Sequence, residues 1–456
     1  MIPLPQVAGK RYGVMGLGRS GRAAAMALRA SGAEVLTWDD KAGAAPPGCT
    51  MHDFRTGPWP AVEAMVWSPG IAFLHRTPHA IAVRAAAAGC RLVSDIDLLA
   101  AANTGATLVG ITGTNGKSTT TSLLAHVLAA SGRSAVAGGN IGAAALELPN
   151  LGAAGVYVLE LSSYQLELSQ STHFPIGIWL NLTPDHLDRH GGLHGYAAAK
   201  SRLWRFSAAG DVAIIGTDGP FGAAEAATAA AAGRRVIPIS GIYVPEGGVG
   251  VADGILTSRI SAKAGPIVDL SGCPTLPGSH NAENAAAVAA AALCLGLTPA
   301  EIANAFASFP GLAHRQERVR SIGHVDYVND SKATNAESTA KALVCYPRIY
   351  WICGGLPKAG GITPLAKLFS GIASAFLIGE AAPAFAEKLE TADIRYSLEG
   401  DLVTALAAAH RAAQADPLPS TVLLSPACAS FDQWPNFEAR GDAFREAVMA
   451  LKETGQ

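Results

Sequence analysis

The stretch Gly110-Ile111-Thr112-Gly113-Thr114-Asn115-Gly116-Lys117-Ser118-Thr119 holds the residue types needed to grip a nucleoside triphosphate. A lysine directly after glycine puts an ammonium where β- and γ-phosphates lie, and the Ser118 hydroxyl beside it is a ligand type for phosphate-bound Mg²⁺. Gly113, Thr114, Asn115, Gly116 and Thr119 complete a loop whose backbone N–H groups, with those of a following helix start, face an anion. The usual pattern has glycine five residues before Gly116, where this chain has Ile111; Gly113 is read as supplying the flexibility instead. Further along, Glu160 closes an apolar run, where a carboxylate meets a nucleotide-bound Mg²⁺. His186 stands between Asp185 and Asp188, a grouping suited to metal or phosphate work, and Lys200 follows on a helix with Tyr196.

A second glycine turn, Gly16-Leu17-Gly18-Arg19-Ser20-Gly21, follows the apolar run 11–15 and precedes an alanine-rich helix. Asp39 and Asp40 end the next apolar run about 20 residues further on, which is the βαβ pattern for a dinucleotide or a related phosphorylated ligand. Gly18, Arg19, Ser20, Asp39 and Asp40 are therefore expected around that ligand, and Ser68 and Gly70 form another strand-end turn on the same side. The glycines alone do not make the ligand NAD.

These groups need strands and helices to hold them. Residues 107–110 read as a strand feeding the phosphate loop, with a helix from about Ser118 to Ala130 leaving it. Residues 155–160 and 176–181 read as further strands, the latter opening into 182–190. Short glycine-interrupted strands follow up to about Asp269. Residues 276–284 then open a long alanine helix in which Asn281 is either an N-cap or a base contact. Phe309–Arg315 has the proline and glycine of a linker, and beyond it strands at 325–329, 349–353, 375–378 and 421–424 each end in a polar or glycine turn. Alternating strand and helix signals place the chain in the α/β class. At 456 residues it exceeds a single core, and we expect three domains, 1–96, 97–312 and 313–456.

A net charge of −2 leaves no footprint for nucleic acid. Seven cysteines without a C-x-x-C pair suit reduced thiols and a cytoplasmic location. The N-terminus has no basic stretch leading into an apolar one, so no secretory signal is expected. The alanine-rich uncharged run 284–300 is too short and too weakly apolar for a membrane span. A monomer is expected.

Taken together the motifs resemble the Mur ligases of bacterial cell-wall synthesis along essentially the whole chain. The resemblance rests on residues 112–119, Gly139-Asn140-Ile141-Gly142, Glu160-Leu161-Ser162-Ser163-Tyr164-Gln165, 181–189, Gly278-Ser279-His280-Asn281-Ala282-Glu283-Asn284, His314-Arg315, 329–335 and 425–432. The last two, with the 16–21 turn, look like the D-glutamate-adding branch. The resemblance implies an N-terminal Rossmann-like domain for the UDP-sugar, a central P-loop ATPase and a C-terminal Rossmann-like domain for the amino acid. It also implies ATP, Mg²⁺ (two ions), UDP-N-acetylmuramoyl-L-alanine and D-glutamate as ligands, with an acyl phosphate as intermediate. By resemblance, Lys117 holds the γ-phosphate, Ser118 and Glu160 support one Mg²⁺, and His186 with Lys200, carried as a carbamate, supports a second. Asn281, Asn284, Arg315 and Asp330 match ATP-site positions, and Asn140 and His186 match positions near the reacting carboxylate. Lys332, Thr334, Lys358, Ser430 and Phe437 match the glutamate pocket, although 356–360 departs from the wording expected around that lysine.

Several other readings share some of these groups. An L-glutamate-adding Mur ligase variant shares every group named, because charge matching does not read handedness. A Mur ligase adding L-alanine or a diamino acid is a near rival. Folylpolyglutamate synthase shares the ATPase logic but lacks the N-terminal UDP-binding domain. A nicotinamide-dependent dehydrogenase accounts for 16–40 alone, and a non-catalytic nucleotide-binding regulator has no need of Glu160, His186 and Lys200.

Overall fold

The computed structural model describes residues 1–451 apart from 42, 75, 76, 103 and 359. Ala359, in the segment expected around Lys358, thus lies outside the described residues. By packing, the described chain divides into one unit formed by Met1–Cys273 with Asn281–Phe309, and another formed by Pro274–His280 with the residues from Pro310 onward.

The first unit holds two sheets. Strands β1 (Arg11–Met15), β2 (Glu34–Trp38), β3 (Thr50–Met51), β4 (Ala64–Trp67) and β5 (Leu92–Val93) form an all-parallel sheet in the order β3-β2-β1-β4-β5. Parallel pairing needs crossovers, and the first is the helix Arg19–Ala30, whose alanines bury against the sheet. At Gly21 a Cβ would stand 1.8 Å from the Gly16 carbonyl oxygen, so only glycine lets that helix start lie against its turn.

The second sheet has nine strands: β6 (Thr107–Thr112), β7 (Ala135–Gly139), β8 (Val156–Glu160), β9 (Ile176–Trp179), β10 (Val212–Gly216), β11 (Arg235–Ser240), β12 (Val249–Ala252), β13 (Ile255–Ser258) and β14 (Gly265–Asp269). Their order is β14-β13-β12-β11-β10-β9-β6-β8-β7, parallel except at β12/β13 and β13/β14. β8 and β10 are buried along their whole length, which is why they read as unbroken apolar runs rather than alternating ones. Register does the positioning: Ile111 of β6 lies opposite Glu160 of β8 and Ile178 of β9, and Gly139 of β7 lies opposite Glu160. Asn140, Glu160, Asn181 and the phosphate loop are thereby delivered to one edge, at the carboxyl ends of the strands. A continuous apolar core joins the two sheets, from Leu4 and Leu28 through Leu146 to Trp179.

The second unit has one sheet of β15 (Glu317–Ile322), β16 (Val325–Asn329), β17 (Ile349–Gly354), β18 (Ile372–Ile378), β19 (Tyr396–Gly400) and β20 (Ser420–Leu424), ordered β15-β16-β20-β17-β18-β19. Only β15/β16 is antiparallel. Both faces are covered: Trp351 and Cys353 of β17 enter one core with Phe369 and Phe385, while Tyr350 and Ile352 enter the other with Val422 and Phe444.

Several elements differ from the sequence expectations. β6 runs to Thr112, so Ile111 is a buried strand residue rather than part of the loop, which explains why glycine is not needed there. The helix behind the loop begins at Lys117. β12 and β13 form a hairpin closed by Asp253-Gly254, both at positive φ. β15 and β19 are edge strands whose mixed polar sequences hide them, and β3 is too short to leave a periodic signal.

Candidate active site

The phosphate loop is built by its neighbours as much as by its own glycines. Gly116, the residue before the helix, has φ +84°, and a Cβ there would lie 2.2 Å from Asn284 Oδ1. Thr114 N–H donates to the Asn181 carbonyl at 2.9 Å, and Asn115 N–H donates to Asn181 Oδ1 at 2.9 Å. Asn181 in turn donates to Glu283 Oε2 at 3.1 Å. Lys117 Nζ folds back onto the Gly113 and Thr114 carbonyls at 2.9 and 2.8 Å. Its charge thus hovers over the loop, among acceptors that a phosphate can replace. Asn281 is not an N-cap: the helix Ser279–Cys294 already includes it, and it accepts from Asn284 Nδ2 at 3.1 Å. Thr120 Oγ1 donates to Asn284 Oδ1 at 3.2 Å, which ties that helix to the one behind the loop.

Lys117, Asn140, His186 and Lys200 line one cavity of about 360 Å³, together with Ser162–Gln165, Asp185, Tyr196 and the Ser20, Pro69 and Gly70 edge of the first sheet. Asn140 Nδ2 donates to Glu160 Oε1 at 2.8 Å. Glu160 Oε2 is buried and has no hydrogen-bond partner among the described residues. A buried, orphaned carboxylate oxygen beside a phosphate loop is the donor a hard cation takes, and Ser118 sits buried at the second position of the adjoining helix. Among the described residues no three His, Cys, Asp or Glu side chains converge as a metal cage. Mg²⁺ uses one or two carboxylates and completes its shell with substrate phosphates and water. The donor set therefore fits the cation.

Lys200 is 1% exposed, with Nζ donating to the Gly113 carbonyl at 2.8 Å and lying 4.5 Å from the Tyr196 ring centroid. Burial, and then the Lys117 charge, hold its amine well below the usual lysine range. His186 has φ +52° at the start of the short helix Leu187–His190, and its ring packs 5.0 Å from that of Tyr164.

A cavity of about 680 Å³ opens at the carboxyl edge of the first sheet, and Gly18, Arg19, Ser20, Asp39, Asp40, Ser68 and Gly70 all line it. Asp39 accepts from the Leu17 N–H at 2.5 Å and the Lys41 N–H at 2.8 Å, so it shapes the glycine turn directly. Asp40 accepts from the Trp38 indole at 3.0 Å and pairs with His79 at 2.7 Å.

In the second unit, Lys332 Nζ stands 3.8 Å from the Phe437 ring centroid, Ser430 is buried and Thr334 is half-buried. Lys358 is exposed. Asp330 accepts from Ser425 Oγ at 2.8 Å and the Gln316 N–H at 3.2 Å, and burial pushes its carboxyl up to about 7. Sequence reasoning missed Arg440, whose buried guanidinium donates to Ser331 Oγ and to the Ser331, Cys428 and Ala429 carbonyls, thereby clamping the two turns that carry Lys332 and Ser430. It also passed over Ser162 and Gln165 as site residues. They form a capping box, Ser162 Oγ accepting from Gln165 N–H at 3.2 Å, and a capping box is recognisable from its spacing.

Residues 111–292 match the Mur ligase middle domain. The UDP-N-acetylmuramoylalanine–D-glutamate ligase of Paramagnetospirillum magneticum is 50% identical over 460 residues, covering 100% of both chains. The ligase of the same name from Chelativorans sp. is 50% identical over 463 residues, covering 99% of this chain and 98% of its own. Among solved structures, the MurF ligase of Thermotoga maritima in complex with ADP superposes with a TM-score of 0.56 at 16% identity over 98% of this chain and 97% of that one, a likeness of fold. The chain belongs to the UDP-N-acetylmuramoylalanine–D-glutamate ligase family of Mur ligases.

Proposed function

We propose that this chain joins the amino group of D-glutamate to the alanine carboxylate of UDP-N-acetylmuramoylalanine, converting ATP to ADP and phosphate. The observation that carries this reading is the convergence of Lys117, Asn140, His186 and Lys200 beside the glycine loop, in a chain 50% identical along its length to a ligase of that name. A substrate carboxylate oxygen attacks the γ-phosphorus and ADP leaves. The glutamate nitrogen, having lost a proton, attacks the acyl carbon; the C–O bond breaks, phosphate departs and an amide remains. Three anions must be brought together, so the protein's task is charge neutralisation and placement more than covalent catalysis.

Lys117 exchanges its loop carbonyls for phosphate oxygens, and the loop N–H groups of residues 113–119 cradle the anion. Asn281, Asn284, Arg315 and Asp330 are assigned to ATP. Asn140 and His186 orient the reacting carboxylate. Gly18, Arg19, Ser20, Asp39, Asp40, Ser68 and Gly70 are assigned to the UDP-sugar, and Lys332, Thr334, Lys358, Ser430 and Phe437 to glutamate, where a cation and several donors suit a side-chain carboxylate. Ser118, Glu160, His186 and Lys200 would hold Mg²⁺, which when bound neutralises charge on the transferring phosphoryl group. Lys200 is assigned as a carbamate. Burial pushes its amine toward the neutral form that bonds CO₂; as the N–C bond forms a proton leaves, and an anionic oxygen replaces a cation that would repel the metal.

The functional domains are assigned as 1–96 for the UDP-sugar, 97–312 for ATP and 313–456 for the amino acid. We read the enzyme as a cytoplasmic monomer. Its seven cysteines are free thiols, and no helix among the described residues is long and apolar enough to cross a membrane. Substrate carrying ¹⁸O in the alanine carboxylate tests the acyl-phosphate route. The label should appear in released phosphate, and its retention entirely in unreacted substrate and amide would overturn the route.

A further inference from the structure

Two of the chain segments carrying groups assigned to the metal and the reacting carboxylate are Glu160 with the helix Ser163–Leu168, and His186 with the helix Leu187–His190. Glu167, buried on the first helix, joins them. Its Oε2 pairs with Arg189 at 3.1 Å, and its Oε1 lies 4.0 Å from His190 Nδ1. The opposite ring nitrogen of His190 is 2.9 Å from Ser163 Oγ. Arg189 reaches further. Its guanidinium stacks 5.0 Å from the Tyr164 ring centroid and donates to the Ile71 carbonyl at 3.4 Å. That carbonyl also accepts from the Trp67 indole at 2.9 Å and ends the turn Ser68–Ile71, whose Pro69 and Gly70 line both cavities.

We infer that Arg189, held by Glu167, is a positioning residue that locks the sugar-side turn Ser68–Ile71 to the segment presenting His186. It lines neither cavity among the described residues and acts through the turn and the helix start. A planar guanidinium can serve a carboxylate, a carbonyl and a ring face together, whereas an ammonium cannot hold all three. The consequence is selective: losing Arg189 loosens the UDP-sugar and misplaces its carboxylate, while the ATP loop, built on Asn181 and Asn284, keeps its shape.

The inference rests on the assignment of the first-sheet cavity to the UDP-sugar, and the test separates the two. Binding of UDP-N-acetylmuramoylalanine is measured by calorimetry, and KM and kcat by phosphate release, for the wild type, Arg189→Ala, Arg189→Lys and Glu167→Gln. We expect Kd and KM for the UDP-sugar to rise about tenfold in Arg189→Ala, the loss of one charge-assisted contact. KM for ATP should stay unchanged and kcat should fall. Arg189→Lys should recover the thermal midpoint but not KM, and Glu167→Gln, which keeps the shape of the site, should show the same selective rise if the alanine variant fails to fold. KM values for both substrates rising together with a lowered thermal midpoint, or an unchanged KM for the UDP-sugar in a folded variant, would overturn the inference alone. A wild type that gives no heat with the UDP-sugar would remove the cavity assignment and the inference with it.

Discussion

Replacing Lys200 separates a structural lysine from one that works as a carbamate. The side chain is 1% exposed and donates to the Gly113 carbonyl at 2.8 Å. Lys200→Ala deletes that bond, about 1 kcal/mol, and three buried methylenes at about 0.8 kcal/mol each, so stability should fall by about 3 kcal/mol. A chain of ordinary stability, about 5–15 kcal/mol, survives that loss. Lys200→Met keeps most of the volume and should recover most of the stability. Removing the anionic ligand that would hold Mg²⁺ at the transferring phosphoryl group should lower kcat by about 10²–10³, the size of losing one preorganised electrostatic contact. Both variants should therefore lose about that much turnover, the methionine variant with a near-native thermal midpoint. Short carboxylates added to Lys200→Ala should restore part of the rate by occupying the vacated oxygen position. In ¹³C-bicarbonate the wild type should show a carbamate resonance that both variants lack. Lys200 does not work as a carbamate if Lys200→Met keeps more than about a tenth of the wild-type kcat, or if the wild type is fully active after exhaustive removal of CO₂.

Lys117→Ala should abolish ligation while leaving the thermal midpoint within about 2 °C, because the loop is held by Asn181 and Asn284; near wild-type turnover would remove the loop assignment. Gly116→Ala must adopt a left-handed φ of +84° and displace Asn284 Oδ1 from 2.2 Å, which also breaks the Thr120 bond. Together these should cost about 2–3 kcal/mol in chemical denaturation, and a neutral result would contradict the close approach. Asp330 has its carboxyl raised from 3.8 to about 7, so its folded-state proton contributes stability that is complete below pH 3.8 and lost as pH rises through about 7. At about 1.4 kcal/mol per pH unit the effect is on the order of 4 kcal/mol at most. Asp330→Asn should therefore flatten the decline in stability between pH 4 and 8, and an unchanged slope would show that Asp330 is not the group titrating.

The phosphate loop was legible because its chemistry fixes both residue type and spacing, and the buried parallel strands were legible because burial on both faces leaves an unbroken apolar run. Edge strands such as Glu317–Ile322 carry no such run, and the Asp253-Gly254 hairpin turn was a local signal that was passed over. Tertiary contacts were the real blind spot. Asn281 resembles a cap from its neighbours, yet it is a helix residue hydrogen-bonded to Asn284. No periodicity foretells that Asp39 shapes the glycine turn, or that Arg440 clamps two turns lying far apart in sequence.

The activity is defined by which amino acid is joined to which carboxylate. The direct measurement is product formation from UDP-N-acetylmuramoylalanine and ATP with D-glutamate, L-glutamate, L-alanine and meso-diaminopimelate at equal concentration. Product should form with D-glutamate and little with the others. Preference for L-glutamate would contradict the handedness while keeping the ligase chemistry, and preference for L-alanine or meso-diaminopimelate would contradict the assignment of Lys332, Thr334, Lys358, Ser430 and Phe437 to a glutamate pocket.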